Sequence, residues 1–295
     1  MATSNPTKDQ IKILKEEYDR LKIGKDSLLQ IIEEAEIPEM VYNSNAIENS
    51  TLTLKETEKI LLEMEVARDI SLREVFEAKN LARVIEYIRT KLPELELTKE
   101  NILLLHQMLL GNISDTIAGR LRTSGEYVRV GIHIAPGPEH IEKRIEEVLI
   151  EYSSDFNSYF LDKIAKFHLE FETIHPFNDG NGRIGRVLLN LQLQALSFPP
   201  VIIRNKEKHD YYDCFDAYRD DHGSSNKETK LMEKILALSL FESLHKRITY
   251  LKGQTIIPLS EYAKKVNERG SALSNAAKRQ TIPAFREKGV WKIGV

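Results

Sequence analysis

Between His175 and Arg186 the chain reads His-Pro-Phe-Asn-Asp-Gly-Asn-Gly-Arg-Ile-Gly-Arg, and helical periodicity brackets it on both sides. Ahead of it, Leu161, Ile164, Phe167, His168, Phe171 and Ile174 recur at spacings of three and four; after it, Ile184, Val187, Leu188, Leu191 and Leu193 do the same until Pro199-Pro200. The pattern predicts a helix, a glycine-rich turn and a second helix. Gly180-Asn181-Gly182-Arg183-Ile184-Gly185 also fits G-x-G-x-x-G, the dinucleotide-binding fingerprint, but that fingerprint follows a β-strand, and here a helix precedes it. No G-x-x-x-x-G-K-[ST] occurs in the chain. The second helix would turn its free N–H groups and positive dipole end toward the turn. Glycines that admit backbone donors, the forks of Arg183 and Arg186, and the carboxylate of Asp179 make an anion site with a titratable base, His175, at its mouth.

The remaining pattern is mostly helical. A helix is expected from Lys8 to about Glu36, broken near Gly24 and ended by Pro38, followed by a polar segment, Asn43 to Ser50. Thr53 and Glu56 have capping-box spacing for a helix through Ile60, Leu61 and Met64. Further helices are expected over Leu72–Leu92 with Pro93 beyond, after a Thr98 cap, over Ile141–Tyr152, from Tyr211-Tyr212 through Tyr218, and over Leu231–Ile248. Gly223 to Asn226 reads as a loop. His106, on the helix after Thr98, reads as a core or surface histidine, because no second metal-binding residue lies at useful helical spacing. Tyr127, Val128, Val130, Ile132 and Ile134 form a β-prone run bounded by Gly125 and Pro136, which predicts a short hairpin flap with His133 exposed in it.

The 295 residues suit one large domain plus an appendage, and 41% hydrophobic with 29% charged residues suits a soluble globular chain. No apolar run reaches the roughly 18 residues of a membrane span, and the N-terminal sequence lacks a signal-peptide pattern. The single cysteine, Cys214, excludes an intramolecular disulfide and a cysteine-rich zinc site; with Tyr212 and Phe215 as neighbours it reads as a buried small residue, and a cytoplasmic location is expected. The net charge of −3 is uneven: residues 261–295 carry eight Lys or Arg against three acids, leaving −8 on the rest.

Two chemistries compete for the central turn. His168, Glu172 and His175 could share a helix face as metal ligands, although zinc sites ask for more compact ligation; the alternative is that His168 and Glu172 brace the helix end through local hydrogen bonds. Residues His175 to Arg183, however, resemble the signature of the Fic family, H-P-F-x-[DE]-G-N-G-R, at every fixed position, and Arg186 matches the second arginine of its nucleotide-transferring members. The resemblance extends from the Ser44 segment to Tyr211-Tyr212. It implies an all-α core with a β-hairpin flap, and transfer of AMP from ATP to a protein hydroxyl.

In that framework His175 is the general base. Asp179 is placed to hold Mg²⁺ between the α- and β-phosphates. N–H groups around Gly180, Asn181 and Gly182, and those of the helix start at Ile184 and Gly185, cradle phosphate oxygens, while Arg183 grips the β-phosphate side and Arg186, a helical turn on, the γ-phosphate. The resemblance places adenine near Tyr211 and Tyr212, where an aromatic face could stack; two core tyrosines would look the same. A target segment would join the 127–134 flap as an added strand, presenting Ser, Thr or Tyr to His175.

Ser44-Asn45-Ala46-Ile47-Glu48-Asn49 matches the family's inhibitory pattern, [ST]-x-x-x-E-[GN], in the N-terminal position of one of its classes. The inhibitory residues would be Ser44, Glu48 and Asn49, with Glu48 pairing with Arg186 and repelling the γ-phosphate. An ordinary capped helix start is the rival. Glu48 could instead orient a water, so that the same site removes AMP from modified targets.

The expected division is 1–95, an N-terminal helical region with the inhibitory segment; 96–248, the catalytic core; and 249–295, a linker to about Ile257 and then two short helices and a basic hairpin, a winged helix-turn-helix-like module. DNA is its candidate partner; a regulatory or dimer-forming role, giving a homodimer, is the rival. A DNA-binding regulator that uses the core only to sense nucleotide is the second functional class, and the base at His175 favours the enzyme. Self-modification is a further expectation.

Overall fold

The computed structural model describes residues 3–66, 70–92, 94–219 and 228–295. The expected loop at Gly223 to Asn226 and Pro93 lie outside the described residues. The chain divides into two compact units, one of Ile37–Ser197 with Ile202–Glu233, the other of Thr3–Glu36, Phe198–Val201 and Lys234–Val295.

Two helices open the chain, α1 (Asn5–Lys22) and α2 (Asp26–Ile47), separated at Gly24 as the sequence predicts. Pro38 does not end α2. A helical proline costs one backbone hydrogen bond and a clash with the carbonyl four residues earlier, here that of Glu34, an exposed residue. Buried Met40, Val41 and Ile47 hold the continuing turns. The polar segment therefore lies on the last turns of a helix, with Ser44 inside it and Asn49, at φ 67°, just past its end.

The larger unit continues with α3 (Leu54–Glu58), whose capping box at Thr53 and Glu56 is formed, and which loosens into a π turn over Lys59–Glu63. Then come α4 (Leu72–Lys91), α5 (Lys99–Leu110, capped by Thr98), the flap strands β1 (Arg129–Val130) and β2 (His133–Ile134), α6 (Pro138–Ser154), α7 (Phe160–Ile174), α8 (Asn181–Ala195) and α9 (Lys208–Arg219). One core joins Leu81 and Val84 of α4, Leu105 and Leu109 of α5, Ile141 of α6, Phe171 of α7 and Leu188 of α8. Burial of such aliphatic side chains, each contributing about 1.5–3 kcal/mol, fixes α7 and α8 and hence the turn between them. Fold class is thus as expected, helical with small sheets.

The smaller unit adds α10 (Lys230–Leu251), most of which belongs to it, then β3 (Ile256–Pro258), α11 (Leu259–Lys265), α12 (Gly270–Lys278), β4 (Ala284–Glu287) and β5 (Val290–Gly294). The sheet is antiparallel in the order β3-β5-β4, with both Ile257 and Ala284 opposite Ile293. Of residues 249–257, expected as linker, 249–251 end α10, 252–255 form a short connection, and Ile256 and Ile257 begin β3. The strand is only three residues long, Ile256-Ile257-Pro258, and its pairing with residues 292–294 defines it. Inside this unit Arg247 is fully buried on Glu36, 2.6 Å away.

Candidate functional site

α7 ends at His175, whose backbone is left-handed at φ 49°, and this reversal turns the chain into the loop before α8. The loop is tied to itself. Asn181 accepts from the Phe177 N–H and donates to the Phe177 carbonyl, both at 2.8 Å, and the Asp179 carboxylate accepts from the Gly180 N–H at 2.6 Å. Gly180, at φ 81°, has no room for a side chain, because a Cβ would lie 2.9 Å from Leu110. From there α8 points its first N–H groups into the turn.

Arg183 and Arg186 are one turn apart on α8 and both are buried. Arg186 donates to Ser44 Oγ at 3.0 Å, to the Ser44 carbonyl at 2.8 Å and to Glu48 Oε1 at 2.8 Å. Burial alone would lower the guanidinium pKa, but the Glu48 carboxylate and its neighbours outweigh it and hold the group firmly cationic. Glu48 also fills the space over Gly182, where a Cβ would lie 2.2 Å from Glu48 Oε1. Asn49 is less engaged, its side chain 3.5 Å from Lys208 Nζ.

Arg183 donates to Asp179 Oδ1 at 3.0 Å and pairs with Glu77 Oε1 at 3.1 Å. Arg73, on the first turn of α4, pairs with the other Asp179 oxygen and donates through Nε to Glu77 Oε1 at 3.0 Å. The four residues close a ring of alternating charge. Next to Arg73, Glu74 accepts from the Thr51 N–H at 2.7 Å, so one helical turn touches both the Asp179 loop and the segment after Glu48. Burial, the largest single influence, would raise the Asp179 pKa, but the charges of Arg183 and Arg73 and the Gly180 N–H together outweigh it and hold the carboxyl below its usual value.

Burial lowers the His175 pKa to about 4, with the Glu172 carbonyl and the Glu48 carboxylate opposing, so the ring is neutral at physiological pH. Its Nδ1 lies 3.9 Å from Glu172 Oε2. Glu172 is itself pushed up to about 8, by burial first and by Glu48 second. His168 is lowered to about 3 by burial and by Arg186, and its Nε2 shares a 2.7 Å hydrogen bond with the Tyr211 hydroxyl. Local bracing of the helix end is therefore not what these two do: His168 bonds to Tyr211 on α9, 43 residues away, and Glu172 Oε1 makes no hydrogen bond. Nor do the three converge as a metal site, as no group of three or more ligating side chains forms one among the described residues.

Several expected contact residues have other engagements. The Ile184 side chain sits in the core, and its N–H already donates to the Gly180 carbonyl at 2.9 Å, so it is not open to a phosphate. Gly185 backs onto Glu172, whose Oε1 would lie 2.2 Å from an added Cβ. Tyr211 is fully buried beneath Arg186, 5.9 Å from its ring centroid, whereas Tyr212 is 38% exposed and donates to the Ile47 carbonyl at 2.8 Å. Of the two rings only that of Tyr212 is open to stack on a base. Cys214 is buried, and burial raises its thiol to about 12.

Two residues near the turn carried no sequence mark of a place at the site, although His106, read as a core or surface histidine, is indeed in the core. Buried Arg122 donates to the carbonyls of His175 at 2.9 Å, Glu126 at 2.7 Å and Pro136 at 2.9 Å, and its own N–H donates to the Pro176 carbonyl at 2.9 Å. It pins the flap's base to the histidine turn. His106 is fully buried beneath the loop: the Gly119 N–H donates to Nδ1 and Nε2 donates to the Asp179 carbonyl, both at 3.0 Å. A lone histidine and a lone loop arginine carry no spacing that would have marked them. His133 is half-buried, not exposed, because its Nε2 donates to the Thr173 carbonyl at 3.0 Å. Arg73 and Glu77 do have an i, i+4 spacing that could have been read.

Residues 96–193 match the sequence model of the Fic/DOC family. The chain is 31% identical over 231 residues to a protein adenylyltransferase Fic of Nematostella vectensis, covering 74% of this chain and 50% of that one. It is 36% identical over 177 residues to the protein adenylyltransferase Fic of Drosophila willistoni, covering 58% and 35% respectively. The chain thus spans half the length of the first of these relatives and about a third of the second. A Fic-domain-containing signaling protein from Bacteroides thetaiotaomicron superposes with a TM-score of 0.74 at 25% identity, covering 83% of this chain and 97% of that one.

Proposed function

Residues 96–193 of this chain are a domain of the Fic/DOC family, and we propose that the chain transfers AMP from ATP to a Ser, Thr or Tyr hydroxyl of a target protein. The observation that carries this is the convergence, at one turn, of a neutral imidazole on His175, the N-terminus of α8 and the forks of Arg183 and Arg186. The relatives named as adenylyltransferases agree with it. His175 accepts the proton of the target hydroxyl, the oxygen attacks the α-phosphorus, and the bond to the bridging oxygen breaks to release pyrophosphate. N–H groups of Asn181, Gly182 and Arg183 face the phosphates, as first-turn donors that helix geometry leaves without partners.

Asp179 is a suitable holder for Mg²⁺: a one-third-exposed carboxylate at the anion site, in the manner of magnesium bound by one carboxylate and substrate phosphates. When bound, the ion would neutralise charge on the departing pyrophosphate. The target segment adds to the flap, whose Tyr127, Ile132 and Ile134 are exposed.

Glu48 is an internal brake. Its ion pair removes the fork of Arg186 from the γ-phosphate, and Ser44 holds the same fork from behind. Intact mass measurement of Glu48→Gly with ATP and Mg²⁺ tests the whole reading: a gain of one AMP is expected on the protein itself, and is lost in Glu48→Gly/His175→Ala. A Glu48→Gly protein that neither modifies itself nor labels any other protein from α-labelled ATP overturns it. Release of AMP from a modified target that requires Glu48 would favour the removing activity.

For residues 259–295, the order α11, α12, β4, β5 resembles a winged helix-turn-helix, and α12 exposes Ser271, Ala272, Asn275 and Lys278. This favours duplex DNA as its partner, tested by a salt-dependent mobility shift with the full chain. No binding at low salt removes DNA and leaves the regulatory or homodimer-forming reading. No helix among the described residues is long and apolar enough to cross a membrane. A cytoplasmic site of action is assigned on the single, buried cysteine.

A further inference from the structure

The ring formed by Asp179, Arg183, Glu77 and Arg73 is unevenly held. Side-chain exposure is 4% for Arg183, 13% for Glu77 and 33% for Asp179, but 56% for Arg73. Arg183 is fixed by packing as well as by two carboxylates. Arg73 is the member whose contact with Asp179 can open at least cost, since its guanidinium re-enters water, where exposed ion pairs are worth about 0–1 kcal/mol. Opening does not remove the charge from the site, because Nε remains bound to Glu77 Oε1 at 3.0 Å.

A divalent cation and Arg73 compete for the same Asp179 oxygen. A cation arriving alone would displace one guanidinium and then sit between two, with Arg183 on the other oxygen. Like charges at such spacing repel strongly where solvent is limited. A cation arriving with a triphosphate meets a different balance, since the phosphate oxygens accept the displaced guanidinium as a bidentate partner.

We propose that Arg73 is a third phosphate-binding arginine of the transfer site, which exchanges Asp179 for a phosphate of the nucleotide when the metal ion arrives and so admits the metal only together with the nucleotide. This rests on the assignment of Asp179 as the metal residue.

Mn²⁺ serves as the probe, with free ion followed by electron paramagnetic resonance in the full chain, with and without ATP. For Arg73→Ala, Mn²⁺ alone should bind roughly tenfold more tightly than to the parent, and ATP in the presence of Mn²⁺ roughly tenfold more weakly, the scale of one charge-assisted contact. A merely structural role would weaken both together. The Tm of the variant should match that of the parent, as the side chain is half exposed. If Arg73→Ala leaves both affinities within twofold while Asp179→Ala abolishes Mn²⁺ binding with ATP, the role of Arg73 is overturned and the metal site stands. If Asp179→Ala changes nothing, the metal assignment fails and the exchange falls with it.

Discussion

His106 lies flat against Phe177, with ring centroids 3.7 Å apart and planes 6° from parallel. The imidazole is also the link between two loops, since Gly119 bonds one nitrogen and Asp179 the other. Those two partners fix the tautomer, with the proton on Nε2, and burial lowers the pKa to about 4 so that it stays there. A second histidine thus sets the height of the loop that carries Asp179, without touching its carboxylate.

His106→Phe keeps the stack and removes both hydrogen bonds, leaving the Asp179 carbonyl and the Gly119 N–H without partners. Loss of about 1–3 kcal/mol of stability is expected, the cost of orphaned buried polar groups. Urea unfolding measures it, and an unchanged midpoint would mean that these bonds carry no weight.

Arg122→Ala should separate nucleotide binding from protein modification. With its side-chain bonds to the carbonyls of His175, Glu126 and Pro136 gone, transfer to a protein target should fall roughly tenfold to a hundredfold, on the scale of misplaced reacting groups. Nucleotide affinity should stay near that of the parent, because Arg122 approaches none of the phosphate-facing residues. Equal loss of both would assign Arg122 to general stability.

The acid limb of kcat/KM should lie well below the ordinary histidine value. His175 is neutral in the fold down to about 4, so protonation removes the base only as pH falls toward that value. In Glu48→Gly the limb should move no higher while His175 stays buried, because a carboxylate that raises its pKa is gone. An acid limb near 6.5 would show that burial of His175 does not persist in the working site.

Glu36 and Arg247 should govern acid stability of the smaller unit. Burial opposes ionisation of Glu36, but Arg247 and Lys246 more than offset it and lower its pKa. The folded state then binds fewer protons than the unfolded one below the usual 4.5. Stability is therefore full above that value and is lost as pH falls through the folded pKa. Glu36→Gln should weaken the unit by about 3–5 kcal/mol at neutral pH, because Arg247 stays buried without a counter-charge. Circular dichroism melts at pH 7 and pH 3.5 would show a smaller pH difference in the variant than in the parent.

The helices around the turn were legible because their apolar residues keep a strict three-four spacing, as at Phe167, Phe171 and Ile174. The end of α2 was not, since Pro38 announces a stop that the helix passes through, its later turns held by buried Met40, Val41 and Ile47. Asp179, Gly180 and the two arginines were readable as a linear string. Arg73, Glu77, His106 and Arg122 reach the same place from other parts of the chain, and no local pattern encodes a meeting that only folding creates. The strand at 256–258 escaped for a similar reason: its partner begins 34 residues later.

The space above Gly182 is too small for a methyl group while Glu48 is there. The brake proposed for Glu48 thus has a volume component as well as a charge. Glu48→Gln would erase the charge and keep the bulk, and Glu48→Ala would erase both. The gap in activity between those two proteins measures how much of the restraint is occupancy, a quantity that no change of salt or pH can reach.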